Sequence, residues 1–189
     1  MKALLQLSKH GQRYWLGNLT RRKITGGELQ RRVMAQGLRG VTSNPAIFEK
    51  AISGGEDYDA QIQQLVRQGC EVHEIYEHLV VTDIRDACDI LRPVYEASDG
   101  EDGFVSLEVS PHLIHDTAGT MAEARRLWHA VNRPDVCIKI PGTPAGGPAI
   151  EAMLYEGVNV NITLLFAIKD YEAVAQAYIR ALERRLAGG

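Results

Sequence analysis

The sequence predicts a parallel α/β protein, and three features of the chain lead there. Five short runs of aliphatic, β-branched and aromatic residues alternate with stretches whose apolar residues recur at helical spacing. The segments joining one run to the next are long enough to hold a helix, as a crossover between parallel strands requires. Three successive inner runs also carry polar or charged side chains on an apolar background: Glu108 on the third, Lys139 on the fourth, and Asn161 with Thr163 on the fifth. One buried polar group is usually a satisfied structural one, but three adjacent strands each carrying such groups point to a shared polar pocket.

The first strand is expected over residues 13–19, with Gly17 in its middle, where glycine weakens a strand. Thr25 to Glu28 has capping-box spacing, and Leu29, Val33 and Met34 then give a short helix that Gly37 can stop. LRGVTSNP at 38–45 reads as a second strand running into a loop, because Asn44 precedes a proline and is held out of the helical region. In parallel α/β folds ligands bind at the C-terminal ends of strands, which makes Thr42, Ser43 and Asn44 candidate substrate-binding residues.

Helical periodicity follows over 57–68 and 71–95, the second set running through Val72, Ile75, Tyr76, Leu79, Val80, Ile84, Ala87, Cys88 and Leu91. SDGEDG at 98–103 is a loop, and the third strand at 104–111 puts Phe104, Ser106, Glu108 and Ser110 on one face. A helix is expected over 117–132, and a short one over 149–156 ended by Gly157. The fifth strand, 158–166, shows Asn159, Asn161 and Thr163 on one face. In the closing helix, 170–186, Tyr171, Val174, Ala175, Tyr178, Ile179, Leu182 and Leu186 form the expected buried stripe. With no internal repeat and no linker-like shift in composition, residues 1–189 read as a single α/β domain.

Composition narrows the function. The chain has 189 residues, 45% hydrophobic and 24% charged, with a formal net charge of -3 and no long basic run, so neither nucleic acid nor a membrane is an expected partner. Cys70, Cys88 and Cys137 are odd in number, far apart and outside any CxxC spacing; free thiols in a reducing compartment are expected, which means the cytoplasm. The opening twelve residues hold one short apolar patch, too brief for a signal segment or a membrane span.

The chemistry centres on Lys139. Within VCIKIPGT at 136–143, alternation puts Val136, Ile138 and Ile140 on one face and Cys137, Lys139 and Pro141 on the other. An amine among apolar neighbours is costly to keep charged, and a neutral amine is a nucleophile suited to forming an imine with a carbonyl. A strand lysine also pairs with carboxylates or reaches solvent, so the neighbouring strands decide between the two readings. Competing motifs are weaker. Gly142 to Gly147 gives GxxxxG, but Pro148 and Ala149 stand where a phosphate-binding loop needs Lys and Ser or Thr. His73 and Glu74 begin a zincin-like pattern without its second histidine in place, and His112, His115 and Asp116 share no distinctive metal spacing.

These residues together resemble transaldolase, specifically the longer bacterial form. The resemblance rests on YWL at 14–16 with NLTR at 18–21, GVTSNPAIF at 40–48, SLEVSP at 106–111, IKIPGT at 138–143 and NVNITLLF at 159–166. It implies a TIM (β/α)8 barrel fold, represented here by about five parallel strands with their helices. It also implies a transferase of the pentose phosphate pathway that uses no cofactor and no metal. Such an enzyme moves a dihydroxyacetone unit between sugar phosphates, from sedoheptulose 7-phosphate and glyceraldehyde 3-phosphate to erythrose 4-phosphate and fructose 6-phosphate. By motif, Lys139 matches the Schiff-base lysine, Glu108 and Thr163 the pair that holds a water and manages protons, and Asn44 and Asn161 the side chains that bind donor hydroxyls.

The chain departs from that pattern twice. By that resemblance, Gly17 stands where the family carries an aspartate that acts as acid/base in carbon–carbon cleavage, and the family's last three strands with its phosphate-binding arginine and serine are not expected within residues 1–189. Two readings follow: a transaldolase-like enzyme of reduced activity, or a catalytically inactive half-barrel acting only as an associating structural unit. On either, self-association or pairing with a C-terminal half is expected.

Overall fold

The computed structural model describes residues 2–188. In chain order the elements are α1 (Lys2–Leu7), β1 (Tyr14–Leu16), α2 (Arg21–Thr25), α3 (Glu28–Gln36), β2 (Leu38–Thr42), α4 (Pro45–Ser53), α5 (Asp59–Arg67) and α6 (Val72–Ala97). Then follow β3 (Phe104–Glu108), α7 (Thr117–Val131), β4 (Val136–Pro141), α8 (Gly146–Tyr155), β5 (Val160–Thr163) and α9 (Ile168–Ala187). The strands form one five-stranded sheet in the order β1-β2-β3-β4-β5, parallel where β1 meets β2 and where β4 meets β5. Strand order equal to sequence order, with a helix in every crossover, is the winding of a TIM-barrel sheet, since a doubly wound sheet reverses its order at a switch point. The expected fold class is the one found.

The chain clusters into two compact units, Met1–Val105 with Arg133–Val136, and Ser106–Asn132 with Cys137–Gly189. In the first unit, β1 and β2 approach so closely that a β-carbon on Gly40 would run into the Trp15 ring, which is why a glycine sits in the middle of β2. Tyr58, Leu65 and Leu79 form a small core there, with Ile52, Ile62 and Ile75 against it. Beside it a buried polar cluster ties α2 to α6. The Arg21 Nε–H donates to Asp83 Oδ1 at 2.7 Å, the Tyr58 hydroxyl donates to Asp83 Oδ2 at 2.8 Å, and the guanidinium lies over the Tyr58 ring at 4.2 Å. Burial pushes the Asp83 carboxyl up, with the Arg21 hydrogen bond pulling the other way.

In the second unit, Ile138 and Ile140 of β4, Ala149, Ile150 and Met153 of α8, and Leu127 and Val131 of α7 are buried. The α7 N-terminus is capped by Asp116, whose Oδ1 accepts the Gly119 N–H at 2.9 Å. That carboxylate is committed to the helix. Helix α9 lies against α8 through Val174, Ala177 and Ala181, and Glu151 of α8 accepts from both Arg180 (2.8 Å) and Arg184 (3.2 Å).

Several expectations are corrected. No capping box forms at Thr25 and Glu28: Thr25 ends α2, the cap of α3 is Gly27 in the left-handed region at φ 71°, and Glu28 binds Arg32 instead. The box exists elsewhere, between Glu71 and Glu74 at the start of α6. The loop expected after Asn44 is α4, because Asn44 is its cap and Pro45 occupies its first turn, where a missing N–H costs nothing. Gly17 lies just past β1 rather than within it. Of the stripe expected to bury α9, Val174 is buried, but Tyr171, Tyr178, Ile179, Leu182 and Leu186 are exposed, and the contact with α8 adds the neighbouring Ala177 and Ala181. Val72 and Tyr76, at the start of α6, are likewise exposed.

Candidate functional site

In the second unit β4 pairs with β5 so that Lys139 stands beside Asn161, and Pro141 beside Thr163. The Val109 N–H donates to the Lys139 carbonyl at 3.1 Å, which sets Glu108 of β3 on the other flank of the lysine. Side chains in such a row point to one face of the sheet. Lys139 Nζ donates to Glu108 Oε2 at 3.1 Å, with side-chain exposures of 14% and 16%. The amine is therefore enclosed, oriented and within one proton transfer of a carboxylate.

A third contact closes the arrangement. Asn161 Nδ2 donates to the Ser106 hydroxyl at 2.8 Å. Ser106 is on β3 and Asn161 on β5, two strand spacings apart, or about 9.5 Å in a flat sheet. They meet over β4, so this face is concave and its side chains converge. Thr163 lies two residues beyond Asn161 on the same face, and the Gly142 N–H donates to its carbonyl at 2.8 Å.

Thr42, Ser43 and Asn44 belong to the first unit, at the C-terminal end of β2. Ser43 is buried, and the Thr42 hydroxyl is buried without a hydrogen-bond partner among the described residues. Asn44 Oδ1 accepts the Ile47 N–H at 2.9 Å as the cap of α4, which leaves its amide NH2 as the group for any ligand. Thus the structure puts Glu108 in contact with Lys139, sets Asn161 beside Lys139 in the strand register with Thr163 two residues further on, and puts Thr42, Ser43 and Asn44 on a strand end in the other unit.

Sequence reasoning missed Ser106. Its signal was its position two residues before Glu108, but a serine in a strand is too common to stand out without its partner. Among the described residues no group of three or more His, Cys, Asp or Glu is placed to hold a metal ion. No described helix is long and apolar enough to cross a membrane. Cys70, Cys88 and Cys137 form no disulfide, and burial pushes the Cys88 thiol up, away from the reactive thiolate. A shallow hollow of about 290 Å³, lined by Arg39, Pro93, Val94, Ala97, Ser98 and Asp102 of the first unit, shares no residue with the polar row.

Comparison with known proteins gives a consistent picture. A family model described as transaldolase/fructose-6-phosphate aldolase matches residues 14–187. The chain is 55% identical over 186 residues to transaldolase 2 of Nostoc punctiforme, covering 98% of this chain and 49% of that protein. It is 50% identical over 188 residues to a transaldolase of Parafrankia, covering 100% of the chain and 51% of the relative. To a transaldolase of Thiobacillus denitrificans it is 47% identical over 189 residues, covering 100% and 53%. The chain spans about half the length of the curated relatives it matches.

Proposed function

Because the chain belongs to the transaldolase/fructose-6-phosphate aldolase family, we propose that Lys139 forms a Schiff base with a ketose phosphate and that the chain carries the imine-forming half of a dihydroxyacetone transfer. The observation that supports this most directly is the enclosed Lys139–Glu108 pair at 3.1 Å. Lysine must give up a proton before its nitrogen can attack a carbonyl carbon, and Glu108 is the base in reach. Attack forms the carbon–nitrogen bond of a carbinolamine while the carbonyl oxygen takes up a proton. Loss of that oxygen as water then leaves the imine, with Glu108 and Thr163 handling the protons through a held water. Asn161, Asn44, Thr42 and Ser43 are proposed to bind donor hydroxyls.

Sugar phosphates are the proposed substrates, and the cytoplasm is the proposed location, in keeping with three cysteines that form no disulfide. The single-domain reading of residues 1–189 belongs to the same proposal, since the division between the two units falls inside β3 and β4. A second reading, an inactive unit that associates, is favoured by Gly17 and by the exposed apolar face of α9.

Reduction with borohydride in the presence of dihydroxyacetone or fructose 6-phosphate, followed by peptide mapping, tests the proposal. The adduct is expected on Lys139, and Lys139→Met should abolish it. An adduct elsewhere, or equal labelling of the variant, overturns the imine reading.

A further inference from the structure

From the Ser106–Asn161 contact we infer that Ser106 is a positioning residue: it holds the Asn161 amide so that its carbonyl end, rather than its NH2 end, faces a ligand at Lys139. The inference rests on the imine reading above and adds to it a residue and a specificity. Ser106 is fully buried between Val105 and Leu107, which are buried themselves, so its hydroxyl occupies a place where an apolar side chain would be cheaper. Asn161 Nδ2 reaches across β4 to it at 2.8 Å. A carboxamide has one donor end and one acceptor end at a fixed angle. With its NH2 committed to Ser106, Oδ1 is the end left for a ligand, on a residue paired in register with Lys139.

An acceptor beside the imine-forming nitrogen selects for a ligand with a hydroxyl donor on the carbon next to its carbonyl. Without Ser106 the amide is free to turn, and its two ends no longer discriminate. A site built to accept a hydroxyl's hydrogen bond penalises a ligand lacking it, because the buried acceptor is then left unmatched. The selected class is the α-hydroxyketone, and acetone is the matching ligand without the hydroxyl.

The experiment measures half-saturating concentrations for borohydride trapping at Lys139 with dihydroxyacetone and with acetone, and takes their ratio. Ser106→Ala is expected to erode the preference for dihydroxyacetone by roughly 3- to 10-fold, the range of one hydrogen bond. Ser106→Cys, close in volume but a weak acceptor, should shift the ratio the same way, and it replaces the alanine variant if that chain does not unfold cooperatively. Asn161→Ala should also erode the preference, and adding Ser106→Ala to it should change the ratio no further. A ratio unmoved by either serine substitution, or effects of the two sites that simply add, overturns the role of Ser106 while leaving the imine reading intact. Failure of the unaltered chain to trap either ketone at Lys139 overturns both.

Discussion

At Gly17 there is room for a β-carbon: one built there has no heavy atom within 4 Å, and the backbone is outside the left-handed region that favours glycine. The backbone and the space at the β-carbon therefore set no obstacle to an aspartate, and Gly17→Asp tests what the glycine costs. If the family aspartate serves carbon–carbon cleavage, its restoration should raise single-turnover cleavage of fructose 6-phosphate, by up to about 10²- to 10⁴-fold for a positioned acid/base. Trapping at Lys139 should stay the same, because the proposed imine formation relies on Glu108 and Thr163 rather than on position 17. Unchanged cleavage with trapping preserved would show that Gly17 is not what limits the reaction. Single residues were legible in the sequence where they broke a pattern. Lys139 and Glu108 are charges in apolar strands, and they meet at 3.1 Å. Ser106 breaks no pattern, and its importance comes from a partner 55 residues away that only the curvature of the sheet brings within reach.

Elements were legible where a local signal decided them, and misread where two local signals competed. All five strands and the long α6 follow from periodicity and turn residues. Asn44-Pro45 was read as an extended dipeptide entering a loop, yet the same pair is a cap followed by a first-turn proline, and α4 begins there. In α9 the expected buried face ran through Val174 and the larger apolar residues, but only Val174 of these is buried and the helix turns it inward together with Ala177 and Ala181, with Glu151 clasping Arg180 and Arg184 at the edge of the contact. That clasp has a pH signature. The hydrogen bond from Arg180 holds the Glu151 carboxyl below its ordinary value, with Arg184 assisting. A lowered folded-state value means the ion pair stabilises above the unfolded value near 4.3, roughly, and that this contribution is lost as pH falls through the folded value. Both arginines are about half exposed, so the effect is small. Glu151→Gln should lower unfolding stability at neutral pH by less than about 1 kcal/mol, the range for exposed pairs. In urea titrations the gap from the unaltered chain should close below about pH 4. A gap that widens on acidification would show that the clasp is not what Glu151 contributes.

For the whole molecule, the strand order came from the simplest rule, that consecutive strands joined by helices lie side by side, and the sheet obeys it throughout. What no local rule gave is how much apolar surface the fold leaves in water. Past the end of β5, Phe166 is 89% exposed, Ile168 79%, Tyr171 62% and Leu186 87%, and Tyr178, Ile179 and Leu182 on the same outward side of α9 are also exposed. Ile168, Tyr171, Tyr178, Leu182 and Leu186 follow one another at three-, seven- and four-residue spacing, with Ile179 next to Tyr178, so they form one stripe rather than scattered singles. Isolated exposed apolar residues are ordinary in a soluble monomer, whereas a contiguous stripe along a 20-residue helix marks a surface that gains by being covered. The second reading of the chain's function gives this surface an outcome that can be measured. Sedimentation over a concentration series should show reversible association on the order of 10 to 100 µM, where weak interfaces assemble. Association should weaken at low temperature, as apolar contacts do. Ile179→Glu with Leu182→Lys, both on the outward face, should shift the species toward monomer while leaving helix content and imine trapping unchanged, since neither residue is near Lys139 in the chain's polar row. A monodisperse monomer across that range, or association that the double variant leaves untouched, would mean that the α9 stripe stays in water and drives nothing.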